Sequence, residues 1–139
     1  MIRVLICCGG GFSSSFMARK VNKEIIEKGY EDRLEVTFSP FSQAHEFLEK
    51  MDVIMCCPHL SYKIPEYIER YGNTVPFYVI PARMYGTMYV EDIYEDAEDI
   101  IDGYKNNHMN PFHFPNEEAC KRVERIHSYR REVLHKNKA

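Results

Sequence analysis

The sequence lacks an apolar run long enough to cross a membrane. The largely apolar segment at residues 2–8 is too short for the core of a secretory signal, and it leads directly into glycines. No Cys-x-x-Cys occurs, and the five cysteines include two adjacent pairs, which argues against a disulfide framework, a zinc ribbon and a thioredoxin motif. We therefore expect a cytoplasmic protein whose thiols are reduced.

A strong charge of either sign is also missing, since the formal net charge is −3. This balance argues against a chain that binds polyanions as a whole. The basic C-terminal stretch lacks the density and the aromatic interleaving of a nucleic-acid surface. The 139 residues, 45% of them hydrophobic and 28% charged, suit one globular core of ordinary size.

Short apolar strands alternate with helical segments along most of the chain. The predicted strands are residues 2–8, 34–38, 52–57 and 75–80, and the predicted helices are residues 13–28, 42–50, 61–71 and 90–104. This alternation predicts an α/β fold with an open four-stranded parallel sheet, in a doubly wound three-layer sandwich. Ligands of such sheets bind at the carboxyl ends of the strands.

The composition changes after the last of these helices. Residues 108–116 resemble a linker, and an extra C-terminal helix is predicted from Glu117, with Asn116 as its cap. Its apolar face would hold Ala119, Val123, Ile126 and Val133. We therefore divide the chain into a domain at residues 1–107 and a linker with a helical extension at residues 108–139.

Charge is unevenly distributed between the last two predicted helices. Residues 91–102 contain seven acidic and no basic residues, whereas residues 117–139 contain seven basic and four acidic ones. The simpler interpretation is that each helix has a solvated face. The alternative is that the basic extension packs near the acidic helix, in the same chain or in a second subunit.

The segment between the first strand and the first helix carries the strongest chemical pattern. It reads Cys8, Gly9, Gly10, Gly11, Phe12, Ser13, Ser14 and Ser15. Glycines let backbone N–H groups turn inward, and at a helix N-terminus such groups bind anions. The same end of the helix dipole favours a thiolate. The pattern predicts a nucleophilic cysteine that faces an anion of phosphoryl size.

Other phosphate-binding motifs fit this segment less well. A Walker A loop requires a lysine, and none is present, while a dinucleotide fingerprint requires glycine where Ser14 stands. A cysteine phosphatase has arginine six residues after its nucleophile, where this chain has Ser14 counted from Cys8, or Ser13 counted from Cys7. A cysteine that accepts phosphate without an arginine to promote hydrolysis is suited to be a carrier.

With these features the chain resembles the IIB component of the bacterial phosphoenolpyruvate:sugar phosphotransferase system, of the lactose/cellobiose type. The resemblance covers residues 2–105 and depends on three segments in this order and spacing. The first is Cys8 with its glycines and serines. The second is residues 52–62, a strand followed by Pro58 and Tyr62. The third is residues 79–86, which contain Tyr85.

The resemblance implies a specific set of roles. Cys8 would be the phosphorylated residue, and Gly9 to Ser15 would surround the phosphoryl group. Pro58 and Tyr62 would form a second loop at the same edge, and Tyr85 a third. The phosphoryl group would come from a histidine of a IIA protein and pass to a sugar held by the membrane transporter IIC. Neither a cofactor nor a metal is implied.

Several alternatives remain at this point. The chain could be a small cysteine-dependent phosphatase or reductase, or a degenerate regulatory module whose extension docks a partner or forms a homo-oligomer. Ser13 to Ser15 could act as helix caps, and Tyr62 could belong to the core. We expect Cys7, Cys56 and Cys57 to be core residues and His59 to be an incidental loop residue. The sugar is not identified by the sequence.

Overall fold

The computed structural model describes residues 1–8, 11–87, 89–115, 117 and 123–134, with Cys8, residues 11–17 and Gly86 described by their backbone alone. The strands are β1 (Ile2–Cys8), β2 (Leu34–Pro40), β3 (Val53–Cys56) and β4 (Phe77–Val79). The α-helices are α1 (Gly11–Glu27), α2 (Ile64–Tyr71), α3 (Ala82–Thr87) and α4 (Val90–Asn107). Two 3-10 helices span Phe41–Glu46 and Pro58–Lys63, and a π-helical turn spans Arg130–Leu134.

The four strands form one parallel sheet in the order β2-β1-β3-β4. The chain leaves β1 towards β2 on one side and then continues to β3 on the other side. The order therefore reverses between β1 and β3, which is where doubly wound sheets bind their ligands. The predicted open parallel sheet is confirmed.

Two apolar clusters cover the two faces of the sheet. One joins the sheet to α1 and α4 through residues such as Val21, Ile93 and Ala97. The other joins the sheet to the 3-10 helices and α2 through residues such as Phe41 and Ile64. Each helical layer buries one apolar stripe, as amphipathic helices on a parallel sheet must. The predicted three-layer sandwich is therefore confirmed.

Several local boundaries differ from the sequence prediction. The first helix begins at Gly11, so the serines at 13–15 lie inside its first turns and not before it. The helix predicted over residues 61–71 is divided, because Pro65 stands in the first turn of α2, where a missing N–H costs nothing. The sequence interpretation gave no helix at residues 82–87, which form α3.

The C-terminal extension first covers the outer edge of the sheet. Phe112 N–H donates to the carbonyl of Phe77 at 2.7 Å, and the same segment forms a parallel bridge to Tyr78. Asn110 accepts from Phe77 N–H at 2.8 Å and donates to the carbonyl of Val75 at 2.8 Å. The exposed backbone groups of β4 thus find partners in the extension, which protects an edge strand from pairing with other chains.

The extension then packs on α4 of the same chain. Asp92 and Asp96 are buried, and their carboxylates accept the backbone N–H groups of Ser128 and Tyr129 at 3.1 and 2.9 Å. Arg130 pairs with Glu98 and Asp99 nearby, and Arg131 pairs with Glu95. The interpretation that the acidic helix and the basic extension each have a solvated face is wrong. The alternative, that the basic extension packs near the acidic helix, is confirmed within the same chain.

The helical part of this extension is shorter than predicted. Glu117 and residues 123–128 are not helical, and the π-helical turn starts only at Arg130. Asn116 and Ala119, which we expected as cap and core, lie outside the described residues. This irregular segment contains Arg125, on which backbone and side-chain acceptors converge.

Arg125 is a buried cation with a complete set of partners. Its side chain is only 7% exposed, and it binds both carboxylate oxygens of Glu117 at 2.7 and 2.9 Å. It also donates to the hydroxyl of Tyr78 at 2.7 Å and the carbonyl of His127 at 3.0 Å. Asp96 lies further away, at 3.4 Å. Because this guanidinium is shared mainly with Glu117, the buried Asp96 carboxylate is only partly compensated.

This arrangement predicts a stability that depends on pH. Burial raises the pKa of Asp96 to about 7, although Arg125 opposes the shift. The folded protein therefore holds this proton more tightly than the unfolded chain, whose Asp pKa is about 3.9. The contribution of this bound proton to the free energy of unfolding is complete at low pH and is lost as the pH rises to about 7. We expect Asp96→Asn to remove this decline, which urea unfolding at a series of pH values would measure. A difference between the two proteins that is the same at every pH would contradict it.

A second prediction concerns the contact between α4 and the extension. Phe112 lies directly against Gly103, and a Cβ added there would approach Phe112 Cε2 to 2.6 Å. We expect Gly103→Ala to lower the free energy of unfolding by about 1 kcal/mol, because overpacking outweighs the gain in helix propensity. Asn106→Ala, at an exposed site of α4, is the matched control and should be neutral or stabilising. Chemical denaturation measures both, and a Gly103→Ala protein as stable as the control would refute the close contact.

Candidate functional site

The carboxyl ends of three neighbouring strands meet at one edge of the molecule. Cys57 N–H donates to the carbonyl of Cys7 at 3.1 Å, which ties the end of β3 to the end of β1. Ile80 N–H donates to the carbonyl of Cys56 at 2.8 Å, which adds the end of β4. Cys8 is the last residue of β1 and so lies at this edge, beside the point where the strand order reverses. The sheet thus presents Cys8 where the fold binds ligands.

A long helix begins shortly after Cys8. Helix α1 has 17 residues and starts at Gly11, three positions after the cysteine. Its first backbone N–H groups have no acceptor within the helix, and its dipole places partial positive charge at this end. Phe12 and the serines 13–15 lie in its first turns, whereas Gly9 and Gly10 lie outside the described residues. The backbone therefore places an anion-binding helix end beside Cys8.

The second predicted segment follows β3. Pro58 opens a 3-10 helix, directly after Cys57, and His59 is exposed within that helix. Tyr62 is 75% exposed, so it does not pack in the core. Pro58 and Tyr62 thus lie on a short helix rather than in a loop. The exposed ring of Tyr62 is available to a partner at this edge.

The third predicted segment follows β4. Tyr85 lies on α3, and its N–H donates to the carbonyl of Pro81 at 2.9 Å. The half-buried side chain packs against the apolar clusters of both faces. Tyr85 therefore lies where the two layers meet around the end of β4. The structure gives it a packing role at the edge that holds Cys8.

The neighbouring cysteines are structural. Cys7, Cys56 and Cys57 are buried free thiols, as the sequence predicts. Burial raises the pKa of the Cys56 thiol well above its ordinary value, and its hydrogen bond with Cys7 adds to this. A buried thiol that resists ionisation is a poor nucleophile. Cys56 is therefore unsuited to act as a nucleophile.

The structure contains a groove beside this edge that the sequence analysis did not predict. It has a volume of about 520 Å³ and lies between the first 3-10 helix and α2. Its lining includes Pro40, the aromatic rings of Tyr67 and Tyr71, and the cationic side chains of Lys63 and Arg70. We call it the tyrosine groove. Residues 66, 67, 70 and 71 recur at helical spacing within α2, so a charged and aromatic helical stripe was the signal that could have revealed it.

The described parts of the chain contain neither a candidate metal site nor a candidate membrane span. There, no three His, Cys, Asp or Glu residues are grouped in a way that could hold a metal ion. The helices that the structure describes include none with the length and apolarity that a bilayer crossing demands.

Comparison with known proteins gives the family. A family model described as the PTS system, Lactose/Cellobiose specific IIB subunit matches residues 3–96, which is more than half of the chain. No curated protein matches. The matched region contains all of the sheet except Ile2, together with Cys8 and the start of α4, and it ends before the extension. The chain therefore belongs to the lactose/cellobiose-specific IIB subunits of the sugar phosphotransferase system.

Proposed function

We propose that this protein carries a phosphoryl group on Cys8, accepting it from a phosphohistidine of a IIA protein and passing it to a sugar bound by a membrane IIC transporter. The observation that carries the proposal is the position of Cys8 at the end of β1, three residues before the N-terminus of α1 and beside the switch point of the sheet. Membership of the family supports phosphotransferase activity and IIA and IIC partners in general.

The chemistry consists of two phosphoryl transfers. In the first, the Cys8 thiolate attacks the phosphorus, an S–P bond forms, and the P–N bond to histidine breaks, so that its electron pair returns to the imidazole. In the second, a sugar hydroxyl oxygen attacks, the S–P bond breaks, and the hydroxyl proton leaves to solvent. The protein contributes positioning and charge stabilisation, which is the main demand of phosphoryl transfer.

The N-terminus of α1 would stabilise the phosphoryl oxygens. Its free N–H groups and its dipole favour a thiolate before transfer and a phosphoryl dianion afterwards. Gly9, Gly10, Gly11, Phe12 and the serines 13–15 would surround the group, with Pro58, Tyr62 and Tyr85 at the rim of the same edge. Serine at positions 13 and 14, where phosphatases have arginine, favours a phosphocysteine that is slow to hydrolyse.

The first experiment is intact mass spectrometry after incubation with phosphoenolpyruvate, the general phosphotransferase proteins and several lactose/cellobiose-type IIA proteins. We expect the gain of one phosphoryl group, and we expect Cys8→Ser to abolish it, because only a thiolate at this position meets the helix end. Cys57→Ser is the matched control, since that thiol is buried next to the same edge, and it should still accept the group.

Acceptance of the group by Cys8→Ser would refute the assignment of the nucleophile. Failure of every IIA protein to load the wild type would favour a regulatory module instead. Rapid turnover of an aryl phosphate would favour a phosphatase. A homo-oligomer through the extension stays a prediction, and sedimentation of the full chain over a range of concentrations would test it.

A further inference from the structure

We propose that the C-terminal extension contributes to phosphoryl transfer by holding α3, and with it Tyr85, at the edge that carries Cys8. The inference rests on the proposed function of Cys8 and goes beyond it, because it gives a role to residues outside the region that the family model matches. Arg125 and Ile126 are positioning residues in this proposal, since they act through α3 and not on the phosphoryl group itself.

Helix α3 depends on its surroundings for stability. It spans only the six residues Ala82–Thr87, and a helix of this length is not stable by itself. It follows β4 at the carboxyl edge of the sheet. Ala82 and Arg83 are exposed, whereas Met84 is buried and anchors the helix in the core. The position of α3 is therefore determined by the groups that pack around Met84.

The extension packs against Met84 and against Tyr89, which lies just after α3. Arg125 donates from Nη1 to Sδ of Met84 at 3.5 Å. Ile126 lines, with Met84 and Tyr89, a void of only about 10 Å³, which is no more than one water molecule needs. The ring of His127 stacks on Tyr89, with centroids 5.9 Å apart and planes inclined by 16°. Three consecutive residues of the extension thus face Met84 or Tyr89.

The position of Arg125 is itself fixed by other parts of the fold. Its guanidinium donates to the hydroxyl of Tyr78, in β4, at 2.7 Å and binds both carboxylate oxygens of Glu117. A planar guanidinium with several fixed acceptors has little freedom to move. The group that meets Met84 is therefore rigid, and it links α3 to the neighbouring strand.

The other end of α3 is held by α1. Nζ of Lys20, on α1, donates to the carbonyl of Thr87, and the same cation lies 5.0 Å from the ring centroid of Tyr89. Helix α1 is the helix whose N-terminus lies beside Cys8. Helix α3 is thus held between the phosphoryl-binding helix on one side and the extension on the other.

Tyr85 connects α3 to the edge where transfer takes place. It follows Met84 directly, and its half-buried side chain packs against the apolar clusters on both faces of the sheet. The extension also reaches this edge, since Glu117 lines a cavity of about 200 Å³ together with Pro81 and Ser61. Loss of the packing on α3 would displace Tyr85, and a displacement of about 1 Å can cost about 100-fold in rate.

The test is a double-mutant cycle in the full chain, with quenched-flow measurement of phosphocysteine formation. We expect Ile126→Ala to lower kcat for transfer from phosphorylated IIA by about tenfold, because α3 loses packing while Cys8 and α1 are unchanged. Tyr85→Leu, which keeps apolar volume but removes the ring, should cause a similar loss. The double variant should be no slower than Tyr85→Leu alone, because Ile126 acts through Tyr85. Removal of the Arg125 guanidinium is a poorer test, since it would leave Glu117 without its partner and destabilise the extension.

Arg130→Ala is the matched control within the same extension. Arg130 pairs with Glu98 and Asp99 and lies near Ile2, at the opposite edge of the sheet, so its loss should leave kcat unchanged. Hydrogen exchange followed by mass spectrometry provides a second readout. We expect faster exchange in α3 for Ile126→Ala and not for Arg130→Ala, with β1 and β3 unchanged in both.

Three outcomes would count against these expectations, each in a different way. Losses that multiply in the double variant would overturn the inference, since Ile126 and Tyr85 would then act independently. A lower melting temperature for Ile126→Ala with an unchanged kcat would also overturn it, because that is the result of packing alone. A wild type that no IIA protein phosphorylates would overturn the proposed function itself, and the exchange of α3 would still test whether the extension holds this helix.

Discussion

The pairing of β1 with β3 is the constraint on which the site depends. The hydrogen bond from Cys57 N–H to the carbonyl of Cys7 ends this pairing, and one residue later each strand gives way to different structure. After β1 the chain reaches a helix N-terminus, and after β3 it enters a 3-10 helix opened by Pro58. Cys8 thus stands at the switch point of the sheet, where doubly wound sheets bind their ligands.

The C-terminal extension packs against both the sheet and α4. It adds backbone pairing to the free edge of β4, and it supplies basic groups to the acidic helix α4. Most of these ion pairs are exposed and contribute little individually. The buried set around Arg125 differs, because this guanidinium joins Glu117 of the extension to Tyr78 and Asp96 of the preceding domain. The extension is therefore packed as part of the sandwich and not held as a separate module.

The sequence was informative where a single period or a single turn decides the structure. The apolar runs identified β1 to β4, and the repeat from Val90 to Tyr104 identified α4, because each buries one continuous face. The helix predicted over the extension was too long. The contacts of Arg125 with Glu117 and with the distant Tyr78 follow no helical or strand period, so the sequence pattern did not reveal them. The tyrosine groove was missed for a similar reason. Its lining combines Phe41 of the first 3-10 helix with residues of α2, and only the fold brings these two segments together.

The buried position of Arg125 has a consequence for where the folded unit ends. Tyr78 and Asp96 belong to the region that the family model matches, yet both contact a residue that lies beyond it. A chain cut at the end of the matched region would lose the partner of these two side chains and would expose both of them, together with the edge of β4, to water.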